Sequence, residues 1–184
     1  GVRDPDVPSQ RGAMDPANIT RAEAAERSAQ IDAHGYDVTV DLSGRVPDAG
    51  AYDPDATFVS TSMVTFTTTG GDTWIDVIAD RLLAASLDDR PLAPDAFDGH
   101  RLRFAADAGE HRLTVSALCR YSHTGEGLHR FVDPVDDLPY CYTQHETADA
   151  RRMYACFEQP DLKATFTLTV VAPAGWTVLS NSPE

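Results

Sequence analysis

Polar and apolar positions alternate along most of the chain. Tyr36, Val38, Val40 and Leu42 fall on one face of an extended segment, and Asp37, Thr39 and Asp41 on the other. A period of two is the signature of a strand with one buried face. Residues 57–68 are rich in threonine, valine and phenylalanine, the residue types that fit a pleated surface. Residues 74–79 are apolar enough to predict a central strand. Residues 82–87 predict another, running into the turn Asp88-Asp89-Arg90-Pro91. Residues 101–104 and 112–121 predict a strand pair folded about Asp107-Ala108-Gly109-Glu110. Tyr140-Cys141-Tyr142 predicts a buried strand. In residues 165–171 Phe166, Leu168 and Val170 point inward and Thr165, Thr167 and Thr169 outward. Gly175-Trp176 opens a last predicted strand through residue 180.

Turn formers separate these runs. They are residues 44–54, Gly70-Gly71-Asp72, and Gln159-Pro160-Asp161, where the proline disfavours the helical region for the residue before it. One segment has helical signals. Thr20 and Glu23 have the spacing of a capping box, in which hydroxyl and carboxylate satisfy free backbone N–H groups reciprocally. The alanine-rich run that follows reaches Gln30. Many short strands and one short helix predict an all-β fold, a twisted saddle-like β-sandwich with a short N-terminal helix. No repeat of solenoid period is present.

Composition narrows the functional classes. The 184 residues suit one sizeable core, and 42% are hydrophobic, as in ordinary globular domains. A net charge of −14 argues against nucleic acid and against anionic membrane surfaces as partners. There is no apolar run long enough for a transmembrane helix and no basic-then-apolar leader. Cys119, Cys141 and Cys156 are odd in number, lie in apolar contexts and lack zinc-site spacing. They read as reduced core thiols, which fits a cytoplasmic protein. Residues 1–13 have no apolar periodicity and read as vector-derived or as a disordered leader, with Met14 the native start. Residues 1–17 are therefore set apart, and residues 18–184 form the predicted β domain.

The polar clusters divide unequally. His111, His123 and His129 read as surface or structural residues, and Asp133, Asp136 and Asp137 as a solvated acidic loop lacking the glycine and distal glutamate of a calcium loop. Gly125-Glu126-Gly127 is a flexible loop. His145 and Asp149 could at most bind a metal weakly, because a zinc helix places a second histidine at the position of Asp149. Most chemistry is crowded into Thr143-Gln144-His145-Glu146, where an amide, an imidazole and a carboxylate follow one another at a strand end.

This last stretch carries a family resemblance. Thr143-Gln144-His145-Glu146 is followed by Asp149-Ala150-Arg151-Arg152 and then by Cys156-Phe157-Glu158-Gln159-Pro160-Asp161-Leu162-Lys163-Ala164-Thr165-Phe166. With Gly125-Glu126-Gly127-Leu128-His129-Arg130-Phe131 upstream, the run resembles the amino-terminal β domain of zinc aminopeptidases of the aminopeptidase N type (gluzincins). His145 and Glu158 depart from the usual pattern. The resemblance implies that Glu146 holds the substrate's α-ammonium and that Gln144 lines the pocket for the first side chain. It implies no catalytic residue and no metal ligand here, since the family's H-E-x-x-H helix and G-A-M-E-N loop are absent. Zinc, catalytic groups and catalytic domain are then expected beyond Glu184, with this fragment inactive alone. The partners implied are the amino terminus of a peptide substrate and the catalytic domain, with weak self-association of the fragment. A free-standing β module that binds protein or peptide is the alternative.

Overall fold

The computed structural model describes residues 18–181. The proposed leader and Ser182-Pro183 lie outside them. Helix α1 (Arg21–Gln30) starts at the capping box. Thr20 N–H donates to the Glu23 carboxylate at 2.8 Å, and Glu23 N–H donates to Thr20 Oγ1 at 3.2 Å. The chain passes directly into β1 (Ile31–Asp41).

The described residues form ten strands. β2 is Thr57–Thr68, β3 Gly71–Asp76, β4 Arg81–Leu87, β5 Arg90–Pro91 and β6 Arg101–Ala106. β7 is Gly109–Arg120, β8 Gly127–Val132, β9 Pro139–Gln144 and β10 Thr165–Val171. Six of them form one sheet in the order β10-β1-β2-β7-β4-β5, and two ribbons, β3-β6 and β8-β9, complete the layers. β10 joins β1 in parallel, and the β1–β2, β2–β7 and β4–β7 pairs are antiparallel. The turn between β4 and β5 places Asp88 and Asp89 at φ of 50° and 64°, the left-handed pair that suits a two-residue hairpin.

The core lies between the large sheet and the β3-β6 ribbon. Val38, Val64, Phe66, Leu113 and Val115 from the sheet pack with Ile75, Leu102 and Phe104 from the ribbon, and with Phe157. The arrangement is an all-β, sandwich-like domain with a short helix at one end.

Several sequence expectations need correction. Residues 74–79 are not a central strand: β3 ends at Asp76, its one strand neighbour among the described residues is β6, with a single bridge from Asp76 to Cys156 on the other side, and its apolar residues are buried by the layer beneath. Residues 101–104 and 112–121 do not pair with each other, because β6 lies on β3 while β7 lies between β2 and β4. Tyr140 and Tyr142 are exposed, since the β8-β9 ribbon offers them no covering layer. Phe166 and Leu168 are exposed as well, because β10 is an edge strand that covers only part of Tyr36 and Tyr154. Residues 176–180 form no strand; Trp176 closes a turn onto Pro173.

Candidate substrate-binding lip

β9 delivers the candidate residues and stops. In the antiparallel β8-β9 ribbon Gln144 lies opposite Gly127, and the strand ends there. Past His145 the chain turns: Asp149 N–H donates to His145 C=O at 3.0 Å, and the Glu146–Thr147 peptide bond is cis. A single 3₁₀ turn, Ala150–Arg152, continues it. Gln144 and Glu146 are therefore neighbours on a lip where a strand gives way to a turn. Both are exposed, and neither side chain has a hydrogen-bond or ionic partner among the described residues.

The lip is free above and fixed below. Gly127 has φ 63°, and a Cβ there would meet Arg152 Cβ at 2.7 Å, so only glycine lets the ribbon sit against the turn. Arg151 is buried and serves as a strut. Its backbone N–H donates to Glu158 at 2.7 Å, its Nε to Ala148 C=O at 2.9 Å, and its guanidinium to Asn18 Oδ1 at 2.5 Å. Arg151 C=O accepts from Ile78 N–H at 2.7 Å. Burial raises the Glu158 carboxyl above its usual range, against the lowering effect of the Arg151 N–H and charge.

Behind this strut is a second polar layer. Arg27 from α1 donates to Asp76 at 2.7 Å and to Gln159 Oε1 at 3.0 Å. Gln159 returns to the helix through Ala24 C=O at 2.9 Å. Trp74 lies between two guanidinium groups, Arg27 at 4.8 Å and Arg101 at 4.7 Å, and donates its indole N–H to Asp76 at 3.2 Å. Arg101 pairs with Glu23 at 2.7 Å, and that hydrogen bond holds the Glu23 carboxyl down at about 2. The Gln159-Pro160-Asp161 segment thus docks the N-terminal helix, in addition to interrupting the chain. The periodicity reading missed Arg27, Asp76 and Arg101. One signal was available, a lone aspartate inside the apolar run Trp74-Ile75-Asp76-Val77-Ile78.

His145 and Asp149 do not face a common ligand. Asp149 pairs with Arg152 at 2.7 Å, while the half-buried His145 ring meets Tyr154 edge-on at 5.9 Å. Burial lowers the His145 pKa, against the raising effect of Asp149. Among the described residues no three His, Cys, Asp or Glu side chains come together in a way that fits a metal ion. These residues do not fit a catalytic zinc. His111 bridges Asp88 and the Asp107 carbonyl, and His123 Nδ1–H donates to the Arg130 carbonyl, so both are structural. A hollow of about 340 Å³ is bounded by Tyr36, Tyr154, Phe157 and Phe166 together with the polar Glu158 and Gln159, and neither Gln144 nor Glu146 lines it.

The six-stranded sheet and its two ribbons around one core define the class, an all-β sandwich-like domain. Residues 104–184 match the family described as the Peptidase M1 N-terminal domain. The chain belongs to that family, as an amino-terminal domain of the aminopeptidase N type. It is 44% identical over 172 residues to an Aminopeptidase N of Streptomyces lividans, across 92% of this chain and 20% of that protein. It is 30% identical over 92 residues to human Glutamyl aminopeptidase, across 50% of this chain and 9% of that protein. The chain thus spans about a fifth or less of the length of these relatives. Among solved structures it resembles Legionella pneumophila aminopeptidase A, crystallised in complex with aspartic acid, with a TM-score of 0.60 and 15% identity. That match covers 77% of this chain and 16% of that one, and at this identity the likeness concerns the fold alone.

Proposed function

We propose that this chain is the substrate-facing amino-terminal part of a zinc-dependent aminopeptidase that removes residues from the amino ends of peptides in the cytoplasm. The observation that carries the reading is the lip itself. Glu146 is an exposed carboxylate without a partner among the described residues, on a turn braced from beneath by the buried Arg151. A carboxylate so placed can hold a peptide's α-ammonium. At about 3 Å and an effective dielectric near 20, the attraction is on the order of 5 kcal/mol before desolvation, which removes much of it. What remains positions the first peptide bond for attack. Gln144, next along the lip, presents a neutral amide to the first side chain, which tolerates varied residues. The metal, its water and the general base are assigned to chain outside the described residues. Three free thiols fit a reducing compartment, and no helix of the described residues is long and apolar enough to cross a membrane.

In the full-length protein Glu146→Ala is expected to lower kcat/KM for free-amino peptides by about a hundredfold, the scale of losing a positioning contact. Its urea midpoint should stay that of wild type, because the side chain is exposed. Cleavage at the wild-type rate would remove Glu146 from the assigned role. The 184 residues expressed alone are expected to show no peptidase activity and no stoichiometric zinc, since a catalytic zinc site needs three protein ligands. One tight zinc per chain by metal analysis would overturn that.

A further inference from the structure

The β8-β9 ribbon carries an exposed aromatic face that the ammonium-binding reading leaves unused. Residues directly opposed in an antiparallel pair share a face of the ribbon. His129 lies opposite Tyr142 and Phe131 opposite Tyr140, on the same face as Gln144. The rings form one continuous stripe. His129 and Tyr142 are 4.7 Å apart, His129 and Phe131 6.0 Å, and Phe131 stacks on Tyr140 at 5.6 Å. Phe131, Tyr140 and Tyr142 are each more than 40% exposed. Three adjacent exposed aromatics on a two-stranded ribbon contribute little to folding.

The surroundings select a charge. Tyr140 donates its hydroxyl to Asp136 at 2.7 Å, and Asp133 and Asp137 stand in the same tip. Glu146 stands at the other end, beyond Gln144. The nearby guanidinium groups are already engaged: Arg130, on the ribbon's opposite face, pairs with Asp55 at 2.6 Å, and Arg152 pairs with Asp149. The face is thus aromatic along its length, acidic at both ends and, among the described residues, without an unpaired arginine or lysine. Ring faces attract cations within about 6 Å, arginine most often.

We infer that the His129–Tyr142 and Phe131–Tyr140 pairs form an extended subsite for peptides whose first few residues carry arginine or lysine. The inference rests on the proposed role of the lip: a peptide anchored at Glu146 meets Tyr142 about 7 Å, and Tyr140 about 13 Å, along the ribbon from Gln144. Those spans fit an extended basic side chain or the next residues of the peptide.

The test uses the full-length protein and two fluorescein-labelled pentapeptides with free amino ends, Ala-Arg-Arg-Ala-Ala and Ala-Gln-Gln-Ala-Ala, with the label at the carboxyl end. Binding is read by anisotropy at low temperature and several salt concentrations, and cleavage by release of alanine. Phe131→Ala/Tyr142→Ser is expected to weaken binding of the arginine peptide about five- to tenfold, the effect of losing two exposed cation–π contacts. Binding of the glutamine peptide should change less than twofold, and kcat for alanine p-nitroanilide should be unchanged. An unchanged preference for arginine over glutamine, or an equal loss for both peptides, overturns the subsite. Glu146→Ala runs beside it. If Glu146→Ala leaves cleavage and binding of both peptides intact while the ribbon variant abolishes the arginine preference, the lip reading fails and the aromatic subsite stands. If Glu146→Ala impairs both peptides and the ribbon variant alters neither, the lip stands and the subsite fails.

Discussion

His111 shows how one residue can read as bland in sequence and still be tightly used. Its Nδ1 lies 2.7 Å from Asp88 and its Nε2 2.8 Å from the Asp107 carbonyl. Two acceptors favour the imidazolium, and the Asp88 hydrogen bond raises the His111 pKa above its ordinary value near 6.5. The Asp88 carboxyl is lowered in turn, first by the Arg112 backbone N–H and then by His111. A raised histidine contributes stability that is complete below its unfolded pKa and is lost as pH rises through the folded value. The lowered aspartate contributes above its unfolded value near 3.8, and that part is lost as pH falls through its folded value. The pair is therefore most stabilising in mildly acidic solution. Asp88 is about half exposed, so the effect is set at about 1 kcal/mol, the upper range for screened pairs. His111→Gln should destabilise the protein by that amount at pH 6 and by much less at pH 9, read from urea midpoints. Equal losses at the two pH values would show that the ring acts only through its packing on Phe66.

At the scale of elements, the short helix depends on what lies beneath it. Ten residues are too few for a stable isolated helix; α1 is held by Arg27, whose side chain is fully buried against Asp76. Removing one member of a buried ion pair costs about 3–5 kcal/mol, and here it would leave Asp76 with Arg101, 3.9 Å away, as its remaining cation. Arg27→Met should lower stability by the lower end of that range in chemical denaturation, and Arg27→Met/Asp76→Leu should recover part of it by removing the less well compensated carboxylate. A loss below about 1 kcal/mol in the single variant would mean that the helix is held by its other contacts, chiefly Ser28 with Asp161 and Gln159 with Ala24.

For the whole molecule, the outer edge of the six-stranded sheet decides behaviour in solution. β10 pairs with β1 on one side and has no strand beside it on the other among the described residues. Phe166, Leu168 and Val171 are exposed along it. A free edge with apolar side chains recruits another strand, while a net charge of −14 opposes close approach. Weak association by β10 edge pairing is expected for the 184-residue chain. It should strengthen with salt as the charge is screened, and Leu168→Lys should suppress it. Sedimentation at rising protein concentration and two ionic strengths checks this. A single monomeric boundary under all conditions would show that the edge is already protected.

Alternation of apolar residues located β1, β2, β7 and β10, though not β5 or β8, and the spacing of Thr20 and Glu23 located the start of the helix, because both depend on local backbone geometry. The order Thr143-Gln144-His145-Glu146 likewise placed the lip and the family in the linear chain. Local pattern cannot say which strands become neighbours. It paired residues 101–104 with 112–121, whereas in the fold β6 covers the core from the ribbon and β7 runs through the middle of the main sheet. Nor can it say which apolar faces find a cover. Tyr142 and Phe166 have the periodicity of buried residues and stay exposed, because a two-stranded ribbon and an edge strand have no layer over them. Arg27 meets Asp76, and Arg151 meets Asn18, only through contacts between residues far apart in the chain. Burial gives those three charges their importance, and burial is a property of the packed tertiary structure.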